Sequence, residues 1–180
     1  MLKISLYKEL LKDYPIHWDN WQKEIKQYIE LLKQWNNVAG LVSPAELERD
    51  CIEHIEDSLS LTDYVIPYLT ENSELIWLDI GSGGGFPTIP ILLAFKEIRT
   101  ILIERKIRKT GFLQLLIKKF NLVNTKVICD TFPDCIPKFE IKQDNIGIIT
   151  ARGVEKPERL AKFLSHWLSE KTIFLCQSPK

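Results

Sequence analysis

Between Leu75 and Pro87 the chain reads Leu-Ile-Trp-Leu-Asp-Ile-Gly-Ser-Gly-Gly-Gly-Phe-Pro: an apolar run, a carboxylate at Asp79, then four glycines within five positions. Gly81, Gly83, Gly84 and Gly85 permit positive φ and let a ligand come close to the backbone. A helix opening near Pro87-Thr88 adds free N–H groups and a positive dipole end. This is chemistry for holding a nucleotide-like ligand. The spacing nearly satisfies the dinucleotide fingerprint G-x-G-x-x-G, but Phe86-Pro87 takes the place of the third glycine and Asp79 precedes the first. No G-K-[ST] follows, which excludes a phosphate-cradling P-loop. A second carboxylate, Glu104, ends Thr100-Ile101-Leu102-Ile103-Glu104, 23 residues after Gly81. From there it accepts hydrogen bonds from both hydroxyls of an adenosine ribose. A dinucleotide enzyme carries the same feature, so Glu104 alone does not choose between ligands.

The elements that must position these residues fall into two parts. In the first 74 residues the pattern is helical. Ile25, Tyr28, Ile29, Leu32 and Trp35 form an i, i+3, i+4 stripe over Gln22–Asn36, and Gly40 ends it. Ser43-Pro44-Ala45-Glu46 reads as a capping box opening the next helix. Leu47, Cys51, Ile52, Ile55 and Leu59 predict that this helix continues on one face to about Pro67. From Leu75 onward, strands at Leu75–Ile80, Thr100–Glu104, Thr125–Cys129, Asn145–Thr150 and Thr172–Cys176 alternate with helices. Those helices are Thr88–Phe95, Lys106–Phe120 and Pro157–Ser169. The alternation predicts an α/β fold, a parallel sheet wrapped by helices, with the ligand site beyond the carboxyl ends of its strands. The expected division is a helical extension over 1–74 and an α/β core over 75–180.

Composition agrees with one domain and a modest extension. The chain has 180 residues, 45% hydrophobic and 27% charged, with five Trp and eight Phe, which argues against disorder. No apolar run approaches the ~20 residues a bilayer span needs, and no signal-peptide core follows Met1. Cys51, Cys129, Cys135 and Cys176 lack C-x-x-C spacing, so neither a metal site nor a redox pair is expected. The expected location is cytoplasmic. Net charge is zero, yet residues 1–74 carry 7 basic and 14 acidic residues, leaving −7 there and +7 in the remainder. That split suggests two functional surfaces, or two halves that attract and pack.

Asp79 ahead of G-x-G resembles the first motif of Rossmann-like S-adenosylmethionine-dependent methyltransferases, and Glu104 agrees with it. Gly83-Gly84-Gly85-Phe86-Pro87-Thr88-Ile89-Pro90 resembles more narrowly the G-x-G-[FL]-P-G-I-P signature of the RsmG (GidB) family, bacterial guanine-N7 methyltransferases of small-subunit ribosomal RNA. Leu31–Asn36 is similar to the family's L-x-x-W-N helix, and His54–Ser58 to its H-x-x-D-S motif. Arg108-Lys109 with Phe112-Leu113, and Thr150-Ala151-Arg152-Gly153-Val154, match further segments in order. The resemblance covers about residues 20–177.

What it implies is a methyltransferase that uses S-adenosyl-L-methionine to modify N7 of a guanine in 16S ribosomal RNA, acting on the RNA or a small-subunit particle. The alternatives are another methyl acceptor, or a non-catalytic relative that acts as a binding module. By the resemblance, the cofactor is held by Asp79, Gly81, Gly83, Gly85, Phe86, Glu104, Asp130, Thr131 and Arg152, with Asp130 and Thr131 by the adenine and Arg152 at the pocket mouth, near methyl donor or RNA. An Arg152 that only satisfies loop carbonyls is the competing reading. No catalytic base, nucleophile or metal is expected, because N7 carries a free lone pair. Arg105, Lys106, Arg108 and Lys109 are expected to meet RNA phosphates, or else to be a solvated helix face. His54 and Asp57, at i and i+3, either pin the N-terminal helices over the pocket or pair with each other. The sequence departs from the family at Gly40, Val42, Glu53, Thr88, Cys129–Thr131 and Cys176. It also ends where the family adds an antiparallel strand pair, so self-association through the edge of the last strand is a further expectation.

Overall fold

The computed structural model describes residues 7–9, 11–153, 157–165 and 168–177. Val154 of the Thr150–Val154 segment and Ser178-Pro179-Lys180 lie outside these.

Helix α1, Trp18–Ala39, is a turn longer at its start and three residues longer at its end than the apolar stripe predicts. It buries Trp21, Ile25, Tyr28, Ile29 and Leu32 on one face, as its 3.6-residue periodicity demands. Gly40 ends it in the left-handed conformation, φ 59°, and donates its N–H to Asn36. The Asn36 side chain then clamps the next two residues. Its Oδ1 accepts from Leu41 N at 2.8 Å and Val42 N at 3.0 Å. Helix α2, Pro44–Glu48, carries the full capping box between Ser43 and Glu46.

The single helix expected to run to Pro67 is three helices instead. Asp50 and Cys51 take positive φ, and the Cys51 N–H closes the turn onto Glu46 O at 2.8 Å. That tight corner redirects the chain into α3, Ile52–Leu59, while α4, Thr62–Glu71, holds Pro67 inside it. The apolar stripe is real, but it is shared among helices meeting at angles.

The sheet has five parallel strands: β1 Ile76–Ile80, β2 Thr100–Ile103, β3 Thr125–Ile128, β4 Ile146–Arg152 and β5 Ile173–Gln177. Their order is β3-β2-β1-β4-β5. After β3 the chain crosses to the far side of β1, which opens a crevice at the carboxyl ends beside β1. The connecting helices are α5 Thr88–Leu92, α6 Ile107–Phe120, α7 Cys135–Lys138 and α8 Pro157–Leu164, with a 3-10 turn at Gln143–Asn145. Helices α5 and α8 are shorter than predicted, while α7 and the 3-10 turn, in a segment expected to be loop, form one compact corner each.

Period-2 alternation divides the core. Trp77, Leu102 and Ile148 face α1 to α6 and join Trp21, Ile25, Tyr28, Leu32, Ile55, Leu59 and Phe112 in one continuous cluster. Leu78, Ile80, Ile103, Ile128 and Ile149 face the other side with Leu164. The N-terminal helices therefore pack into the same core as one face of the sheet. Among the described residues no helix is long and apolar enough to cross a membrane.

Candidate functional site

Strand β1 delivers the glycine loop to the crevice. Gly81 N and Ser82 N both donate to Ile103 O, at 2.9 and 3.0 Å, so the loop leaves β1 still tied to β2. Gly81, Gly83 and Gly85 all have positive φ, 76°, 53° and 99°. At Gly81 a Cβ would meet nothing within 4 Å, which leaves open space over the strand end. At Gly85 the constraint is the reverse: a Cβ would sit 2.5 Å from Ile89 Cγ1 and 3.3 Å from Tyr28 Oη. Helix α1 holds this loop from behind. Tyr28 Oη donates to Gly84 O at 2.7 Å, and Trp21 Nε1 donates to Pro90 O at 3.1 Å.

Glu104 leaves the end of β2 and meets the loop. Its Oε2 accepts from Gly83 N at 3.0 Å and its Oε1 from Lys106 N at 2.8 Å. Two backbone donors thus fix the carboxylate in place, with a lone pair left on each oxygen for a ligand hydroxyl.

Two adjoining cavities share Gly81, Glu104, Lys109 and Gly153. The first, roughly 360 Å³, has Gly81–Gly84, Phe86 and Glu104 on one wall. Leu41, Val42, Glu46, Glu53, His54, Asp57 and Arg152 face them. The second, roughly 390 Å³, is lined by Ile80, Ile103, Arg105, Lys106, Asp130, Thr131 and Phe132. Both are of the size of small-molecule sites. Asp130 is held by Lys138 at 2.7 Å and by Thr131 N, and these bonds lower its pKa.

The facing wall is tied together by polar pairs. Arg152 Nη2 donates to Asp57 Oδ2 at 3.2 Å, and Gln177 Nε2 donates to Asp57 O at 2.9 Å, so α3 is bound to the ends of β4 and β5. His54 stacks on Phe86, with ring centroids 4.8 Å apart at 30°, and its Nε2 pairs with Glu46. His54 and Asp57 thus reach out to separate elements, as pinning requires. Burial, and then the charge of Arg152, push the His54 pKa below its ordinary value against the pull of Glu46 and Asp57. Burial works to raise Glu46, but hydrogen bonds from Ser43 and the nearness of His54 and Arg152 bring it down.

Three expected site residues stand elsewhere than the sequence suggested. Asp79 shares the Trp77 face of β1 and lies buried under the helices, off both cavity walls. It accepts from Thr150 Oγ1 at 2.6 Å, and Thr150 in turn accepts from Trp77 Nε1. Burial pushes its pKa up to about 6, against the Thr150, Ser82 and Thr88 hydroxyls. Gly85 packs against Ile89 and Tyr28 and does not reach either cavity. Lys109 is half-buried and lines both cavities, so it is not part of the solvated basic face with Arg105, Lys106 and Arg108. Burial lowers its pKa, Glu104 opposing. Phe86, Asp130, Thr131 and Arg152 do line the cavities. Sequence reasoning missed Glu46, Leu41 and Val42 as wall residues. The capping box located Glu46 but gave it only a local role.

Residues 21–178 match the family described as GidB, rRNA small subunit methyltransferase G. The chain belongs to that family. Its activity class, S-adenosylmethionine-dependent methylation of small-subunit ribosomal RNA, follows from membership. A ribosomal RNA small subunit methyltransferase G of Bartonella bacilliformis is 34% identical over 174 residues, 95% of this chain and 76% of that protein. One of the same name from Dictyoglomus thermophilum is 31% identical over 96% of this chain and 70% of its own length. Among solved structures, a coclaurine N-methyltransferase aligns over 96% of this chain and 58% of that one, with 13% identity and a TM-score of 0.48, a likeness too weak to argue from. The GidB family implies the methyl donor as cofactor, and the residues present suit it. The open space over Gly81 and the anchored, cavity-facing Glu104 are what a nucleoside lying across the strand ends requires. Among the described residues no group of three His, Cys, Asp or Glu side chains is placed to hold a metal ion.

Proposed function

We propose that this enzyme methylates N7 of a guanine in 16S ribosomal RNA, in the cytoplasm, on free RNA or a small-subunit particle. The observation that carries the reading is Glu104, fixed by Gly83 N and Lys106 N at the wall common to both cavities. Gly81, Gly83, Phe86 and Glu104 hold the donor's ribose and neighbouring atoms, Asp130 and Thr131 lie by its adenine, and Arg152 stands between donor and acceptor. Asp79 and Gly85 act from behind, Asp79 by joining β1 to β4 through Thr150, and Gly85 by letting the loop close on Tyr28. The helices of 1–74 roof the cavity and 75–180 supply the methyltransferase core.

The donor brings an electrophilic methyl group on a positively charged sulfur. The guanine N7 lone pair needs no deprotonation, so the chain has to align rather than activate it, and alignment alone can contribute several kcal/mol. The roof, with Leu41, Val42 and Phe86, excludes water from the line of attack. Positive charge appears on the guanine as the methyl arrives, and the carboxylates of Glu46 and Asp57 lie in the same cavity to stabilise it. Arg105, Lys106 and Arg108, all exposed, contact phosphates beside the opening.

The test is a calorimetric titration with S-adenosylhomocysteine beside Glu104→Ala, followed by mapping of the methyl group on small-subunit RNA. Micromolar binding that weakens at least tenfold in the variant, and one 7-methylguanosine in the RNA, are expected. No binding by folded protein would overturn the reading in favour of a binding module. Binding without a modified guanine would point to another acceptor.

A further inference from the structure

The first turn of α6 is built against its own stability. A helix start favours carboxylates, yet no acidic residue stands anywhere in Ile107–Phe120, and Arg105, Lys106 and Arg108 crowd its opening. Ile107, the first residue of the helix, is 77% exposed in the midst of these cations, more than any other large apolar side chain among the described residues. Gly111 lies one turn further along the same face and lowers the helix propensity. A Cβ at Gly111 would meet nothing within 4 Å, so the surface beside Ile107 is left bare. Neither packing nor the helix dipole explains these choices. Features that cost stability and face outward point to a partner outside the chain.

The same rim continues onto α1. Arg108 Nη1 donates to Val38 O at 3.3 Å, which joins the first turn of α6 to the last turn of α1. Trp35 packs on Phe112 beneath, with ring centroids 5.9 Å apart. Val38 is itself 56% exposed. Just after it in the chain, Leu41 and Val42 enter the wall of the first cavity, while Lys106 lines the second. An apolar ledge framed by cations therefore adjoins the opening through which a methyl acceptor must come.

RNA brings both halves of the complement, phosphates for the cations and base faces for the ledge. A guanine that reaches a methyl group under the helical roof has to leave its stack, and the nucleotide beside it then loses a stacking partner. We propose that Ile107, with Val38 on the helix that Arg108 ties to it, covers the uncovered face of a nucleotide adjacent to the target guanine. The base lies along α6 over Gly111, and Arg105, Lys106 and Arg108 hold the phosphates around it. An aliphatic side chain set against an unstacked base is a wedge of the kind that keeps bent nucleic acid open. The inference rests on the proposed N7 activity and adds what holds the RNA open while the guanine is out. A protein would have to place carboxylates around an apolar knob to match this rim, whereas any RNA strand alternates charge and apolar face.

Binding and methyl transfer are measured separately. The enzyme with S-adenosylhomocysteine is titrated with small-subunit RNA over a range of salt, and methylation is mapped on the same RNA. Ile107→Ala should weaken RNA binding about tenfold, as loss of a base contact does. Its S-adenosylhomocysteine affinity should stay within about twofold, and the slope of log affinity against log salt should not move, because an apolar contact releases no counterions. Ile107→Leu should bind as the wild type does. Abasic nucleotides are then placed in turn on the two sides of the mapped guanine. On one of these RNAs the wild type should lose about tenfold and Ile107→Ala nothing further, since both changes remove one and the same contact. Unchanged RNA affinity in Ile107→Ala overturns the proposal, and so does a loss that persists in full on both abasic RNAs. A loss seen on assembled subunits and absent on free RNA overturns it too, and assigns the rim to a protein partner. Absence of any modified guanine defeats the N7 reading by itself, and the Ile107→Ala titration still decides whether the ledge meets RNA.

Discussion

The two walls of the first cavity are assembled in opposite ways. The loop wall comes from 24 consecutive residues, Gly81 to Glu104, and is held mainly by backbone: Gly81 N and Ser82 N on Ile103 O, Gly83 N on Glu104. The roof wall is joined through side chains, Glu46 with His54 within the N-terminal helices and Asp57 with Arg152 across 95 positions of the chain. A backbone-held wall tolerates little change in shape but almost any change of outward side chain. A side-chain-held wall keeps its fold when a partner is lost and loses its alignment. The first suits a ligand gripped through main-chain groups, the second a ligand met by side chains.

The loop wall should break hardest at Gly85. Gly85→Ala places a Cβ 2.5 Å from Ile89 Cγ1 at φ 99°, and both its N–H and C=O are committed, to Ser82 and Ile89. Strain and overpacking together should remove about 2–4 kcal/mol of stability. Urea unfolding should show that loss with an unchanged m-value, and calorimetry should show no S-adenosylhomocysteine binding. A variant that folds and binds normally would mean the loop is held less rigidly than its bonds imply.

Asp79 tests the layer beneath that wall. Its folded pKa is raised to about 6 from an unfolded value near ~3.9, chiefly by burial. The native state therefore holds the extra proton between those values, and stability falls as pH rises from about 4 to about 6, the full cost being present above that. Asp79→Asn removes the cost. Relative to wild type it should gain about 2 kcal/mol between pH 4 and pH 7, read from urea midpoints at each pH. A constant difference across that range would show that Asp79 ionises freely in the folded protein.

These cases also mark what could be read from the residue string. The loop wall was legible because its signals are local: glycines at fixed spacing, a carboxylate ending an apolar strand, and strands bounded within two residues of their observed ends. The roof was not. Glu46 looked complete as a helix cap, Tyr28 looked like one more apolar-stripe residue, and nothing local links Arg152 to Asp57. Asp79 was misplaced for a different reason. Alternation says that it shares a face with Trp77, but only the packing of α1 to α6 says that this face is covered. Lys109 turned inward because α6 begins at Ile107, which sets its first turn so that Lys109 meets the cavity while Arg108 points to Val38 O at 3.3 Å.

At the roof, Asp57→Asn keeps the shape and removes the charge opposite Arg152. The pair is partly buried, so the stability cost should be modest, about 1 kcal/mol. Methylation should fall about tenfold in kcat/KM through misaligned Arg152, while S-adenosylhomocysteine affinity stays within threefold. Equal losses in both would erase the distinction between the walls.

The smallest effects belong to the exposed cations at the rim. Lys106→Ala and Arg108→Ala touch no core residue, and surface changes of this kind usually stay within about 0.5 kcal/mol in stability. Each removes one phosphate contact of the proposed RNA face. The slope of log affinity against log salt should therefore drop by about one per substitution, with a few-fold loss of RNA binding at moderate salt and none in donor binding. Lys109→Ala separates the two surfaces most sharply. Because Lys109 is half-buried between Gly83 and Glu104, it should alter S-adenosylhomocysteine affinity and leave the salt slope near that of wild type. A lost unit of slope with unchanged donor affinity would return Lys109 to the RNA face and move the boundary between the two binding surfaces inside the cavity.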